Sequence, residues 1–206
     1  MKPVVISPAD HDTREPTVLG RLLETGLERY HVRKPGWTLE QLSRLLAPWP
    51  RAWRARVVLH HHHELVAQLG LGGRHWPGDD ADPAASAPPA PDGLTSRSCH
   101  DLAILRAALG RFDAVFFGPV FPSLSKPGHG LRPETDFAAV SALLAARTPT
   151  ERRTRVLALG GITAATAPRA LALGFDGVAV LGAIWQAADP VRAFAEISSS
   201  PARHAA

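Results

Sequence analysis

The stretch Val156-Leu-Ala-Leu-Gly-Gly-Ile162, followed later by Gly177-Val-Ala-Val-Leu-Gly-Ala183, decides the fold of this chain. Each segment is a short apolar run that stops at glycine just before a helical stretch. Such runs are typical of strands that are buried on both faces of a parallel sheet. Bare backbone N–H groups then lie where a strand leads into a helix, and that position favours a bound anion.

The two segments are the last of eight candidate strands. These are short and mostly apolar: Val4–Ser7, Tyr30–Arg33, Val57–His60, Gly73–Trp76, Leu94–Ser98, Ala114–Phe117, Val156–Leu159 and Val178–Leu181. Apolar spacings of three and four predict helices at Val18–Thr25, Leu39–Leu46, His63–Leu69, Asp101–Ala108, Phe137–Ala146, Ala164–Leu173 and Pro190–Ile197. This alternation predicts an α/β fold, a single-domain (β/α)8 TIM barrel.

In such barrels the loops after strands 7 and 8 commonly form a phosphate site. The glycine segments occupy those positions, and they therefore predict an enzyme that binds a phosphorylated small molecule. An alternative is that Gly160, Gly161 and Gly182 only relieve crowding at the strand ends.

Local signals support the helix boundaries. Thr38 and Gln41 form a predicted capping box, Asp189 precedes Pro190 as an N-cap, and Gly174 follows a helix end. The stretch Pro77–Gly93 is rich in proline, so we expect an irregular loop in place of the fourth helix. We expect the barrel to span residues 1–197 and a solvated tail to span 198–206.

Composition narrows the class of protein. The chain has 206 residues, 45% of them hydrophobic, which suits one compact domain. Its formal charge is +4, but the basic residues are interleaved with acidic ones, which argues against nucleic-acid binding. Cys99 is the only cysteine, so an intramolecular disulfide is excluded. Without a long apolar run or a leader pattern, we expect a cytoplasmic protein with no membrane partner, and homo-oligomerisation stays open.

Chemically useful residues follow several strands. Strand alternation predicts that His31 and Arg33 point the same way, into the barrel mouth, where Arg33 can clamp a diphosphate. The loop after strand 6 carries Ser123, Ser125 and Lys126, which together suggest a second anion cradle.

In order and spacing, these segments resemble the thiamine phosphate synthase and thiazole tautomerase superfamily from Val4 to about Trp185. The most specific part is Phe117-Gly-Pro-Val-Phe-Pro-Ser-Leu-Ser-Lys126 followed by Ala158-Leu-Gly-Gly-Ile162. The remaining segments are Tyr30-His-Val-Arg-Lys-Pro35, Val58-Leu-His-His-His-His-Glu-Leu65, Ser98-Cys-His100 and Gly177-Val-Ala-Val-Leu-Gly182. The resemblance implies a transferase of thiamine biosynthesis, which joins an aminopyrimidine methyl diphosphate to a thiazole phosphate and releases pyrophosphate with magnesium.

The resemblance also implies roles for individual residues. Arg33 and Lys126 would stabilise the departing diphosphate, with Ser98 and His31 as the further catalytic positions. Substrate-binding positions would be His60, Ser123, Ser125, Gly161, Leu181 and Gly182. His61 and Asp80 would correspond to the two aspartates that hold magnesium.

The chain departs from the family at several of these positions. His31 replaces a glutamine, and His60-His61 replaces an Asn-Asp pair, although magnesium prefers oxygen ligands to imidazole. A tautomerase that uses histidine acid–base catalysis is therefore an alternative, with His60, His61, His62 and His100 near the mouth. Against it, Pro119 stands where that branch has its histidine.

Two further alternatives stay open. One is a binding protein for thiazole or thiamine phosphates without catalytic activity. The other is a transition-metal site formed by the run His60–His63, as opposed to polar loop residues of which one or two enter the pocket.

Overall fold

The computed structural model describes residues 2–78, 93–122 and 136–200. Eight strands close into a parallel barrel in sequence order, with β1 hydrogen-bonded to β8. The strands are β1 (Val4–Ile6), β2 (Tyr30–Val32), β3 (Val57–Leu59), β4 (Gly73–Trp76), β5 (Leu94–Cys99), β6 (Ala114–Phe117), β7 (Arg155–Leu159) and β8 (Gly177–Val180). The predicted TIM barrel is confirmed, and each strand lies within about a residue of its predicted bounds.

Helices surround the barrel. They are α1 (Glu15–Glu24), α2 (Leu39–Leu46), α3 (Arg51–Arg54), α4 (Glu64–Leu69), α5 (Leu102–Ala108), α6 (Phe137–Ala145), α7 (Ala167–Ala172), α8 (Gly182–Trp185) and α9 (Pro190–Ser198). The sequence did not predict α3 and α8, because a single helical turn is too short to show an apolar period. The expected loss of the fourth helix falls largely on residues 79–92, which lie outside the described residues.

The predicted end signals form as expected. Thr38 and Gln41 make a reciprocal capping box at the start of α2. The Asp189 side chain accepts hydrogen bonds from the first backbone N–H groups of α9, and Gly174 follows α7 with a φ of +94°. One boundary is corrected: α9 continues to Ser198 and Ser200 is buried, so the tail cannot begin at 198.

Strand alternation divides the core into two layers. Val115 and Phe117 of β6 face the helices and join the main apolar cluster. Phe116, between them, faces the barrel interior with Ile6 and Leu157. Burial of each large apolar side chain contributes about 1.5–3 kcal/mol. The interior therefore has an apolar floor, and polar side chains collect nearer the carboxyl ends of the strands.

Within the described segments, no helix is both long and apolar enough to cross a membrane.

Candidate active site

The main cavity lies at the carboxyl ends of the strands and has a volume of about 510 Å³. Its lining comes from all eight strand ends: Ile6, Arg33, Pro35, Gly36, His60, His61, Pro77, Gly78, Ser98, His100, Phe116, Leu159 and Leu181. This is the end of the barrel where enzymes of this fold place their active sites. The predicted residues Arg33, His60, His61, Ser98 and Leu181 are thus brought together.

Arg33 is held at the rim of the cavity through its backbone. The Arg33 N–H donates to Ser7 Oγ at 2.9 Å, and the Ser7 hydroxyl donates to the Arg33 carbonyl at 3.1 Å. Ser7 is fully buried at the end of β1, while the Arg33 side chain is exposed. The two bonds fix the backbone of the residue that follows β2 and leave its guanidinium free to reach the cavity.

Lys34 does not reach this cavity. Its ammonium is buried, where it donates to Glu15 at 2.6 Å and to the Asp10 carbonyl at 2.9 Å. Tyr30 donates to the other Glu15 oxygen at 2.7 Å. Sequence reasoning missed this network, because its acidic member comes from α1 and no local pattern links Glu15 to β2.

The histidine run follows the end of β3, and its side chains separate into two adjacent pairs. His60 and His61 line the cavity, whereas His62 and His63 donate to the backbone carbonyls of Trp37 and His75. Burial, followed by the positive charge of Arg33, lowers the pKa of His61. The run does not converge on one point, so a metal site made by all four histidines is excluded.

His60 instead meets two other histidines inside the barrel. His31 Nδ1 lies 3.2 Å from His60 Nε2, and the rings of His60 and His75 stack with centroids 4.0 Å apart. Phe116 packs against both His31 and His75. Burial is the largest cause that lowers the pKa of all three imidazoles well below the usual value. They are therefore neutral near pH 7.

The prediction that His31 opens into the mouth is wrong. Its side chain does point into the barrel, but it is only 1% exposed and does not line the cavity. His31 lies two residues before Arg33, deeper in the barrel. His75 was missed, although the same inward alternation along β4 could have identified it.

Ser98 and His100 stand on the opposite side of the cavity. Ser98 Oγ lies 2.9 Å from His75 Nε2, so the buried imidazole orients a hydroxyl that faces the cavity. His100 Nδ1 donates to the Gly118 carbonyl at 2.8 Å. In neutral His100 the lone pair is then on Nε2. Cys99 lies between them but is buried, and burial raises its pKa to about 12, which makes it a poor nucleophile.

A second cavity of about 120 Å³ lies between the ends of β7 and β8 and is lined by the two glycine segments. Leu159 and Leu181 line both cavities, so the two adjoin. Gly182 and Ala183 begin α8, and the first N–H groups of a helix have no partner within it. Trp185 anchors α8 by donating to the Ile6 carbonyl at 2.7 Å.

Steric crowding is one reason why positions 160 and 161 are both glycine. Both residues have left-handed φ values, +95° and +61°. A Cβ at Gly160 would lie 2.8 Å from Pro119 Cα, and one at Gly161 would lie 2.7 Å from Phe121 Cβ. The pair is thus required for backbone conformation and for close approach of the loop after β6, whether or not an anion binds.

The donor set of the main cavity does not fit magnesium. Among the residues that the structure describes, those lining the cavity include imidazoles, a hydroxyl and a guanidinium but no carboxylate, whereas Mg²⁺ prefers oxygen ligands. Asp80, Ser123, Ser125 and Lys126 lie outside the described residues.

Comparison with known proteins agrees with this geometry. The chain matches the family model described as thiamine monophosphate synthase over residues 3–184. A thiamine-phosphate synthase of Methylobacillus flagellatus is 32% identical over 192 residues, which cover 89% of this chain and 87% of that protein. One from Bordetella avium is 33% identical over 177 residues, covering 85% and 80%.

Solved structures show the same architecture. A thiamine phosphate pyrophosphorylase from Bacteroides thetaiotaomicron has a TM-score of 0.75 and 25% identity, and the match covers 96% of each chain. The family match runs from β1 to α8, so it takes in every strand end that lines the two cavities. We conclude that this chain belongs to the thiamine monophosphate synthase family.

Proposed function

We propose that the protein is a thiamine-phosphate synthase, which transfers an aminopyrimidine methyl group from its diphosphate to a thiazole phosphate. The carbon–oxygen bond to the diphosphate breaks, the bond to the thiazole forms, and pyrophosphate leaves. The observation that carries the proposal is the pair of adjoining cavities. One is large with Arg33 at its rim, and the other is small and lined by backbone at the ends of β7 and β8.

The larger cavity takes the pyrimidine diphosphate. Negative charge grows on the diphosphate as it leaves, and the Arg33 guanidinium at the rim stabilises that charge more in the transition state than before it. Ser7 supports this role by fixing the backbone on which Arg33 stands. Lys126, Ser123 and Ser125 are proposed as further diphosphate ligands from the family resemblance alone.

The smaller cavity takes the phosphate of the thiazole. Backbone N–H groups at Gly161, Gly182 and Ala183 are the proposed donors, and the amino end of α8 adds a favourable dipole. Leu181, which lines both cavities, would lie between the phosphate and the reacting ring.

The buried histidines lie beneath the proposed position of the pyrimidine. His60 reaches the cavity and offers a neutral imidazole for hydrogen bonding, and Ser98 offers a hydroxyl held by His75. His31 acts through His60 and does not contact the substrate.

Magnesium is the proposed cofactor from the family resemblance, with diphosphate oxygens and Asp80 as its ligands. In such reactions it would neutralise charge on the diphosphate. The described residues that line the main cavity include no carboxylate, and none of the steps above depends on the metal.

The proposal is tested by incubating the purified protein with both substrates and Mg²⁺ and following thiamine phosphate and pyrophosphate together. We expect equal amounts of both products, with none when either substrate is omitted. Absence of product with intact thiazole-phosphate binding would instead favour a binding protein. Isomerisation of a thiazole carboxylate phosphate without coupling would favour the tautomerase alternative.

A further inference from the structure

Three buried imidazoles meet inside the barrel, and the coupling reaction proposed above does not require three imidazole nitrogens so close to one point. His31 in β2, His60 after β3 and His75 in β4 come from neighbouring strands. One ring nitrogen from each lies within 4.8 Å of the others. The residues are at most 7% exposed. We call His31, His60 and His75 the histidine cluster.

We propose that the histidine cluster is a binding site for a divalent first-row transition metal of the zinc type. It is separate from the magnesium ligands implied by the family, because it contains only nitrogen donors and includes neither His61 nor Asp80. Imidazole suits zinc, cobalt, nickel and copper, while magnesium prefers carboxylate, carbonyl and water oxygens.

The spacing of the closest pair supports this proposal. Zinc binds imidazole nitrogen at about 2.0–2.1 Å, so two nitrogens on a tetrahedral zinc are about 3.4 Å apart. His31 Nδ1 and His60 Nε2 are separated by 3.2 Å, close to that value. A ring nitrogen of His75 lies within 4.8 Å of the other two ligand atoms, so a small movement of side chains brings the three to one metal ion. Strand pairing already fixes the backbone positions of all three residues.

The surroundings of His75 are those of a metal ligand. Its Nδ1 lies 2.8 Å from Ser96 Oγ, and the Ser96 hydroxyl is in turn 3.4 Å from the Arg74 carbonyl, to which it can donate. Ser96 then accepts the Nδ1 proton, which leaves the lone pair on His75 Nε2, facing the Ser98 hydroxyl. Metal-binding histidines characteristically donate the N–H of the second ring nitrogen to a hydrogen-bond acceptor, which fixes the ring, and the Ser96 oxygen is such an acceptor.

The site has an open side. His60 and Ser98 both line the cavity of about 510 Å³, so a metal held by the histidine cluster has its remaining coordination position toward that cavity. Three protein ligands with one open position is the arrangement of catalytic zinc sites rather than structural ones. The ligand in that position would be water or an oxygen or nitrogen atom of the molecule in the cavity.

Purified full-length protein, stripped with a chelator, provides the test. Co²⁺ is titrated and followed by visible absorption, and Zn²⁺ binding is measured by competition and by elemental analysis after dialysis. We expect one metal per chain and the intense visible bands of cobalt in a four-coordinate site. Failure of the wild-type protein to bind either metal, or the weak bands of octahedral cobalt alone, would overturn the proposal.

Two variants locate the site. His31→Gln and His60→Asn introduce the residues that the resembling family has at these positions, so the barrel should accommodate them. We expect each to weaken metal binding by at least about 100-fold, beyond the 10–100-fold usual for loss of a supporting partner. Circular dichroism confirms folding, and the cobalt spectrum of the wild-type protein decides the case if a variant fails to fold.

His62→Asn is the matched control. His62 belongs to the same histidine run, its φ of +54° suits asparagine, and its ring bonds to the Trp37 carbonyl outside the cluster. We expect this variant to retain wild-type metal affinity. Metal binding that survives in His31→Gln and His60→Asn but is lost in His62→Asn would assign it to the exposed run and refute the proposal. The coupling assay with Mg²⁺ is scored separately, so failure of either proposal leaves the other standing.

Discussion

The Lys34 ammonium donates to the Glu15 carboxylate at 2.6 Å, with the two side chains 0% and 2% exposed. Lys34 follows β2 and Glu15 is in α1, so this contact joins the loop to the helix. Glu15 also accepts a hydrogen bond from Tyr30 of β2. The contact with Glu15 directs Lys34 away from the cavity and, among the residues that the structure describes, leaves Arg33 as the cation that faces it. The ion pair therefore separates the roles of two adjacent basic residues.

Breaking this pair should destabilise the fold strongly. We expect Glu15→Gln to lower the free energy of unfolding by about 3–5 kcal/mol, because a buried ammonium loses its charged partner. Lys34→Met combined with Glu15→Gln should recover part of that loss. Denaturant unfolding measures both. The exposed pair Lys2–Glu28 is the control, and Glu28→Gln should change stability by no more than about 1 kcal/mol. A loss of the same size at both carboxylates would contradict the assigned role of burial.

Alanine substitutions at Gly161 and Gly36 distinguish backbone strain from steric crowding. Both have left-handed φ values, +61° and +77°, but a Cβ at Gly36 meets nothing within 4 Å. Gly36→Ala should therefore cost only the conformational penalty, about 1–2 kcal/mol. Gly161→Ala should cost about 1–3 kcal/mol more, because its Cβ meets the loop at Phe121. Thermal unfolding compares the two variants. Equal losses would mean that the loop yields and that crowding is not the reason for this glycine.

The sequence predicts the barrel well because its signals are local. Apolar runs ending at Gly160 or Gly182 mark strands directly, and Thr38 marks the start of a helix within four residues. The site is harder to predict. The burial of Lys34 depends on Glu15, and the meeting of His31, His60 and His75 depends on three strands lying side by side. Such contacts follow from the pairing of neighbouring strands and from the contact of α1 with β2, which no single stretch of sequence encodes.

Arg33 should be essential for coupling but not for folding. Its side chain is exposed at the rim, and only its backbone bonds to Ser7. We expect Arg33→Gln to lower kcat/KM by about 10²–10³-fold, the usual cost of removing one transition-state electrostatic contact. Unfolding should be unchanged. Arg44→Gln, which removes an exposed arginine paired with Glu40, is the control and should keep full activity. Full activity of Arg33→Gln would remove Arg33 from the diphosphate site.

His61→Asp should preserve or raise coupling activity and lower the Mg²⁺ concentration needed for half-maximal rate. His61 lines the cavity at the position where the family has an aspartate, and its pKa is lowered, so it offers a neutral nitrogen where Mg²⁺ prefers a charged oxygen. Rates measured across a series of Mg²⁺ concentrations give the comparison, with His61→Asn as the neutral control, which should leave the Mg²⁺ requirement unchanged. If His61→Asp abolishes coupling while His61→Asn is active, a carboxylate is harmful at this position. Metal binding would then depend on the diphosphate and on residues beyond His61.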